Sequence, residues 1–188
     1  MLDTHFIATV VPPSGYTWTL VSRLGEMLAE AESLYGPRDL DWTPIGVEFG
    51  PGTPQLWYPG GRRNIAIQLA LNALNDNAVA CYQLAHECVH LLAPTGTAVA
   101  PVIEEGVATV FSEDYVCREF KLQGLTDWPS YVEAAMMVRQ LLTLDSRAIK
   151  RLRAVEPSFV KMTSATFTAA GLAVPAPLVN ALVAPFIR

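Results

Sequence analysis

The stretch LAHECVHLL, residues 84–92, sets two histidines four positions apart with a glutamate directly after the first. The chain has only three histidines, His5, His86 and His90, so two of them fall in this window. On a helix, residues four apart share a face and their side chains can converge on one point. His86 and His90 can therefore both offer imidazole nitrogens to a zinc ion, at ~2.0–2.1 Å. Glu87 lies about 100° further round such a helix, beside the ligands and not beneath them. From there it can act on a metal-activated water as a general base without ligating the metal. Cys88 points to the far side and reads as core. The flanking Leu84, Ala85, Val89, Leu91 and Leu92 make this a buried helix. Two histidines and a carboxylate are costly to bury there unless something pairs with them, and a metal would.

Catalytic zinc takes three protein ligands and leaves a position for water, so the two histidines need a third partner. No histidine follows His90, and Ala93 and Gly96 stand where an elongated HExxHxxGxxH motif would require Gly and His. Cys81 sits on the same helix as the histidines, and the strand segments carry no cysteine. A carboxylate from the following segment, PVIEEGVATVFSE (101–113), remains, as either Glu104 or Glu105. Periodicity does not choose between them, because this helix is apolar on most sides. Gly106 inside it costs about 1 kcal/mol relative to alanine, which with Ala108 suggests a close approach of two helices.

HECVH (86–90) followed by EEGVA (104–108) resembles the gluzincin metallopeptidases, in which a glutamate from a second helix completes the zinc site. The E-G-x-A segment is similar to the "EG-aromatic-A" element of the large zinc aminopeptidases and of related small peptidases. The resemblance spans about residues 82–114 and implies a zincin-like fold with one Zn2+. It implies His86, His90 and Glu105 as metal ligands, Glu87 as the catalytic base, and a peptide or protein substrate. Thr109 departs from the thermolysin-like members, which carry there an aspartate that orients a zinc histidine. Glu104, Glu113 and Asp114 are candidates for that carboxylate, and His5, Tyr115 and Tyr131 for an oxyanion donor. On the same analogy the strand Asn64–Leu69, or its neighbour, would align an extended substrate. A different reading keeps the metal and the fold but makes the protein a regulatory or binding module with little proteolysis.

The elements that would position these residues follow an α+β order. Phe6–Val11 reads as a strand and Thr17–Tyr35 as an amphipathic helix stopped by Gly36-Pro37. IGVEF, PQLWY and RNIAIQL, between residues 44 and 70, read as strands of a small sheet, mostly antiparallel because their connections are short. Asp76 or Asn77 caps a helix to about Ala93; Pro101 starts one to about Lys121. Further helices are expected from Asp127 to Leu144, from Ser146 to Val155, and around 157–170 and 175–184. The chain reads as one domain, 1–188, mixed over 1–75 and helical over 76–188. A net charge of −5 and a pI near 5.1 provide no footprint for nucleic acid. No apolar run suits a membrane span, and the N-terminus lacks the pattern of a signal peptide. Cys81, Cys88 and Cys117 form no CxxC pair and suit buried thiols in a reducing compartment, so the expected location is the cytoplasm.

Overall fold

A computed structural model describes residues 18–96 and 99–188. The strand expected at Phe6–Val11 lies outside them. The first helix, α1 (Leu20–Tyr35), opens on a capping box in which Thr19 and Ser22 satisfy each other's backbone N–H groups. Its buried residues, Leu20, Leu24, Met27, Leu28, Ala31 and Tyr35, recur at helical spacing and form one face of the core. Gly36 ends the helix at φ +99°, a conformation that favours glycine.

Three strands follow: β1 (Thr43–Gly50), β2 (Gln55–Trp57) and β3 (Asn64–Ala70). Their order in the sheet is β1-β3-β2, with β1 parallel to β3 and β2 antiparallel to it. The expectation of a mostly antiparallel sheet is therefore corrected to a mixed one. Short connections suggested that consecutive strands pair. Instead, residues 51–54 carry the chain past the place of β3, so that β2 makes the return run on its far side. β3 is flanked on both edges, and Ile65, Ile67 and Leu69 are fully buried.

The rest is helical: α2 (Asn77–His90), α3 (Val102–Phe120), α4 (Pro129–Leu144), α5 (Ala148–Val155), α6 (Ser164–Ala169) and α7 (Ala176–Leu182). The described residues thus form an α+β fold of seven α-helices and one small mixed sheet. Asp76 caps α2 by accepting from Val79 N at 3.0 Å. The helix ends at His90 and not at Ala93; Leu91–Ala93 continue as turns before Pro94. α4 starts at Pro129, with Trp128 in the capping position expected of Asp127. The segment expected to be helical over 157–170 divides into a 3-10 turn, Phe159–Lys161, and α6. No helix among the described residues is long and apolar enough to cross a membrane.

α2 is the axis of the fold, packed against α1, α3 and the sheet. Gly106 of α3 does mark a close approach, but to α4: a Cβ there would lie 2.5 Å from Ala134 O and 2.6 Å from Val138 Cγ2. Beneath the C-terminal end of α2, the buried Arg153 donates to five carbonyls, those of Tyr35, Gly36, Pro37, Leu92 and Pro157. One guanidinium thereby ties the end of α1, the end of α2 and the segment after α5 together.

Candidate metal centre

The helical period brings His86 and His90 to the same face of α2, their rings 5.2 Å apart between centroids. Across from them, the first turn of α3 presents both glutamates. Glu105 Oε2 lies 3.1 Å from His86 Nε2 and 3.8 Å from His90 Nε2. One donor atom each from His86, His90 and Glu105 falls within 4.8 Å of the others, so the three residues could hold a metal ion. Donors bonded to zinc at ~2.0–2.2 Å in tetrahedral directions sit roughly 3.3–3.6 Å apart, a spacing that 3.1 and 3.8 Å bracket. The residues present fit a divalent ion of that size.

Glu104 plays a different part. Its Oε1 accepts from His90 Nδ1 at 2.8 Å, so consecutive carboxylates meet opposite nitrogens of one imidazole. A histidine whose Nδ1–H is held by a carboxylate has its other nitrogen free to ligate and its ring orientation set. Glu104 thus occupies the place that the sequence left open among Glu104, Glu113 and Asp114. The latter two pair with Arg139 instead. Thr109 donates to the backbone carbonyl of Glu105, at 2.7 Å, and hydrogen-bonds to neither histidine. The second carboxylate oxygen of Glu104, Oε2, is buried without a hydrogen-bond partner among the described residues.

The proton affinities reflect this packing. Burial alone would lower the pKa of His90, but the hydrogen bond and charge of Glu104 outweigh it and raise it to about 10. For Glu105, burial works toward a higher pKa, and the His86 hydrogen bond with the charge of His90 hold it at about 2. Glu87 is raised, first by burial, against the lowering influence of both histidines. The residue is 5% exposed, and its carboxylate forms no hydrogen bond with any described residue. It nevertheless borders two cavities, of about 820 Å3 and about 260 Å3, which adjoin along His86, Glu87, Pro54 and Arg188. A buried carboxylate left unbonded beside a potential ligand set is suited to exchange a proton with something that enters the cavities.

The remaining candidates separate by position. Cys88 is fully buried in the core, where burial pushes its thiol well up, and Cys81 likewise to about 12. Both are apolar filling, as their places on the helix suggested. Tyr115 is buried and borders neither cavity, whereas the Tyr131 ring stands edge-on to His86 at 5.7 Å and lines the larger cavity. His5 lies outside the described residues. Two neighbours escape sequence reasoning: Tyr58, whose hydroxyl accepts from Gly96 N at 3.2 Å on the wall of the smaller cavity, and Arg188. Neither belongs to a motif, and each arrives from a distant segment. The edge strand β2 borders the smaller cavity through Gln55 and Leu56. Comparison of the chain with protein-family models, with curated proteins and with solved structures finds no match in any of the three.

Proposed function

We propose that the protein is a zinc-dependent metallopeptidase of zincin-like, gluzincin type. The observation that carries this reading is the convergence of His86, His90 and Glu105 with the unbonded Glu87 carboxylate beside them, at the junction of two cavities. His86, His90 and Glu105 would hold the ion, with Glu104 fixing the ring of His90. A zinc ion bound there supplies Lewis acidity, polarising a carbonyl oxygen and making water acidic near neutral pH. Glu87 takes the proton from the attacking water and delivers it to the leaving nitrogen. A carboxylate whose pKa is lifted by burial does both better than an ordinary one. Burial of the site away from bulk water strengthens every charge interaction within it.

The sheet suits an extended peptide. β3 has partners on both edges, so the neighbouring strand β2 takes the aligning role considered for Asn64–Leu69. Its outer edge is unpaired among the described residues, and Gln55 and Leu56 border the site. A peptide pairing with that edge would run across Glu87 and the histidines.

The test is Glu87→Gln. The variant should bind one equivalent of zinc like the unaltered protein and lose hydrolysis of a mixed peptide library by about a hundredfold or more. Equal turnover in the two proteins refutes the role of Glu87. A zinc-loaded unaltered protein that cleaves nothing refutes the peptidase reading and favours a metal-containing binding module.

A further inference from the structure

Between the two cavities stands a guanidinium that the proposed hydrolysis does not use. Arg188 borders both cavities, each time in company with His86 and Glu87. Its place is set from several sides. Val102 N donates to Ala184 O and Phe186 N to Ala100 O, both at 2.9 Å, and Pro101 pairs with Pro185, so the segment is tied to the start of α3. Phe186 packs on the Tyr131 ring with centroids 4.7 Å apart. Arg188 Nε donates to the Tyr131 hydroxyl at 2.8 Å, and its guanidinium carbon lies 5.8 Å from that ring's centroid. The ring in turn contacts His86. One tyrosine therefore relates the guanidinium to the metal-ligand face.

The hydrogen bond to Tyr131 uses Nε and leaves the two Nη groups, whose fork matches a carboxylate. No carboxylate of the described residues lies within ion-pair distance of Arg188. Arg23, Arg63, Arg118, Arg139 and Arg151 each have one; Arg38, Arg62, Arg147 and Arg153 share the lack, but none of them borders either cavity. Glu104 and Glu105 are turned to the histidines. Glu87 and Glu105 feel the charge of Arg188 without reaching ion-pair distance, so the Nη groups of this exposed residue are open, among the described residues, to an anionic partner that enters the cleft. Glu87, Glu104 and Glu105 otherwise make the cleft unwelcoming to negative charge, so a single guanidinium at the junction defines where such a group can sit. On its other side the larger cavity offers Val79, Tyr82, Leu125 and Trp128 to an apolar side chain.

We propose that Arg188 binds a carboxylate of the substrate, either the terminal carboxylate of a peptide or an acidic side chain, and thereby sets the specificity of the cleft. This rests on the peptidase reading above. The guanidinium holds the carboxylate, Tyr131 holds the guanidinium, and the peptide is placed relative to Glu87 by both.

The test uses two pairs of acetylated tetrapeptide mixtures. One pair differs only in a free or amidated C-terminus; the other, amidated throughout, differs in Glu or Gln at one position. With zinc-loaded protein, the anionic member of at least one pair should be cleaved with kcat/KM about tenfold or more above its neutral counterpart, the size of one charge-assisted hydrogen bond. The pair that responds identifies which carboxylate is read. In Arg188→Gln that ratio should fall to about one, and Arg188→Lys, which keeps charge without the fork, should retain part of it. A ratio near one for both pairs in the unaltered protein, or a ratio that survives in Arg188→Gln, overturns the proposal. Binding is read separately by calorimetry on zinc-loaded Glu87→Gln with the same peptides. A binding preference that Arg188→Gln abolishes, found where nothing is hydrolysed, sinks the peptidase reading and leaves the carboxylate site standing. Hydrolysis without preference in either assay does the reverse.

Discussion

His90 presents its two ring nitrogens to two consecutive glutamates: Nδ1 lies 2.8 Å from Glu104 Oε1 and Nε2 lies 3.8 Å from Glu105 Oε2. Neighbours in sequence thereby take unlike roles, one carboxylate orienting the ring and the other sharing its donor face. Glu104→Ala should still bind one equivalent of zinc, with affinity about 10–100-fold weaker, because the ring loses its hydrogen bond and not the site a ligand. Glu105→Ala should lose more than that. Competition with a chromophoric chelator measures both, and a larger loss in Glu104→Ala than in Glu105→Ala would reverse the assignment.

The same pairing would make binding of a metal at this site proton-linked. In the metal-free protein Glu104 holds His90 protonated up to about pH 10, and a ligand histidine must be neutral. Apparent zinc affinity should therefore rise with pH across the neutral range. Calorimetry in buffers of differing ionisation enthalpy should show proton release near pH 7. Binding with no proton release at that pH contradicts a charged His90.

Stability of the metal-free protein should carry the same signature. The His90 pKa is raised from 6.5 to about 10, so its contribution is full below pH 6.5 and lost as pH rises through 10. The Glu105 pKa is lowered from 4.5 to about 2, so its contribution is present above pH 4.5 and lost as pH falls toward 2. Glu105→Gln should accordingly lower Tm at pH 7 and make little difference near pH 2. A Tm deficit that stays constant from pH 7 to pH 2 would count against the pairing.

Glu87 makes the opposite case. Its raised pKa means that the folded state resists its ionisation, so above about pH 4.5 the carboxylate weakens the fold. Glu87→Gln should raise the Tm of the metal-free protein at pH 7, and the gain should vanish in acid, where both states of the wild-type side chain are protonated. Loss of activity with gain of stability is the pattern of a functional group held in an unfavourable place. A lower Tm in the variant at pH 7 would show Glu87 to be a structural residue.

At Gly106 two effects compete. Alanine would add about 1 kcal/mol of helix propensity, but its Cβ would stand 2.5 Å from a backbone carbonyl of α4. Parting two packed helices costs about 1–3 kcal/mol, and the backbone atom cannot swing aside as a side chain would. Gly106→Ala should thus lower the urea midpoint on balance and, by moving α3, weaken zinc binding at Glu105. An unchanged or higher midpoint would mean that α3 and α4 do not meet there. Arg153→Leu tests the support beneath the C-terminal end of α2: with five carbonyls losing their donor, it should lower stability by about 3–5 kcal/mol, read from the urea midpoint.

Sequence alone determined what depends on neighbours along the chain. The period of a helix put His86 and His90 on one face with Glu87 beside them, Asp76 or Asn77 marked the start of that helix, and the break at Pro94 with the restart at Pro101 placed both glutamates in the opening turn of the next. Glycine at 106 announced a close helix contact but not with which helix. Tertiary structure alone decided how the two helices are turned about their axes, and hence that Glu105 meets the Nε2 side of His90 while Glu104 meets Nδ1. That rotation is set by packing against α1, α4 and the sheet, contacts between residues far apart in the chain. The sheet order has the same origin, since β1 reaches β3 only because β2 takes the far edge. Arg188 and Tyr58 reach the cleft from remote segments and sit in no periodic pattern. Local periodicity chose the residues able to do chemistry; long-range packing chose which of their atoms face one another.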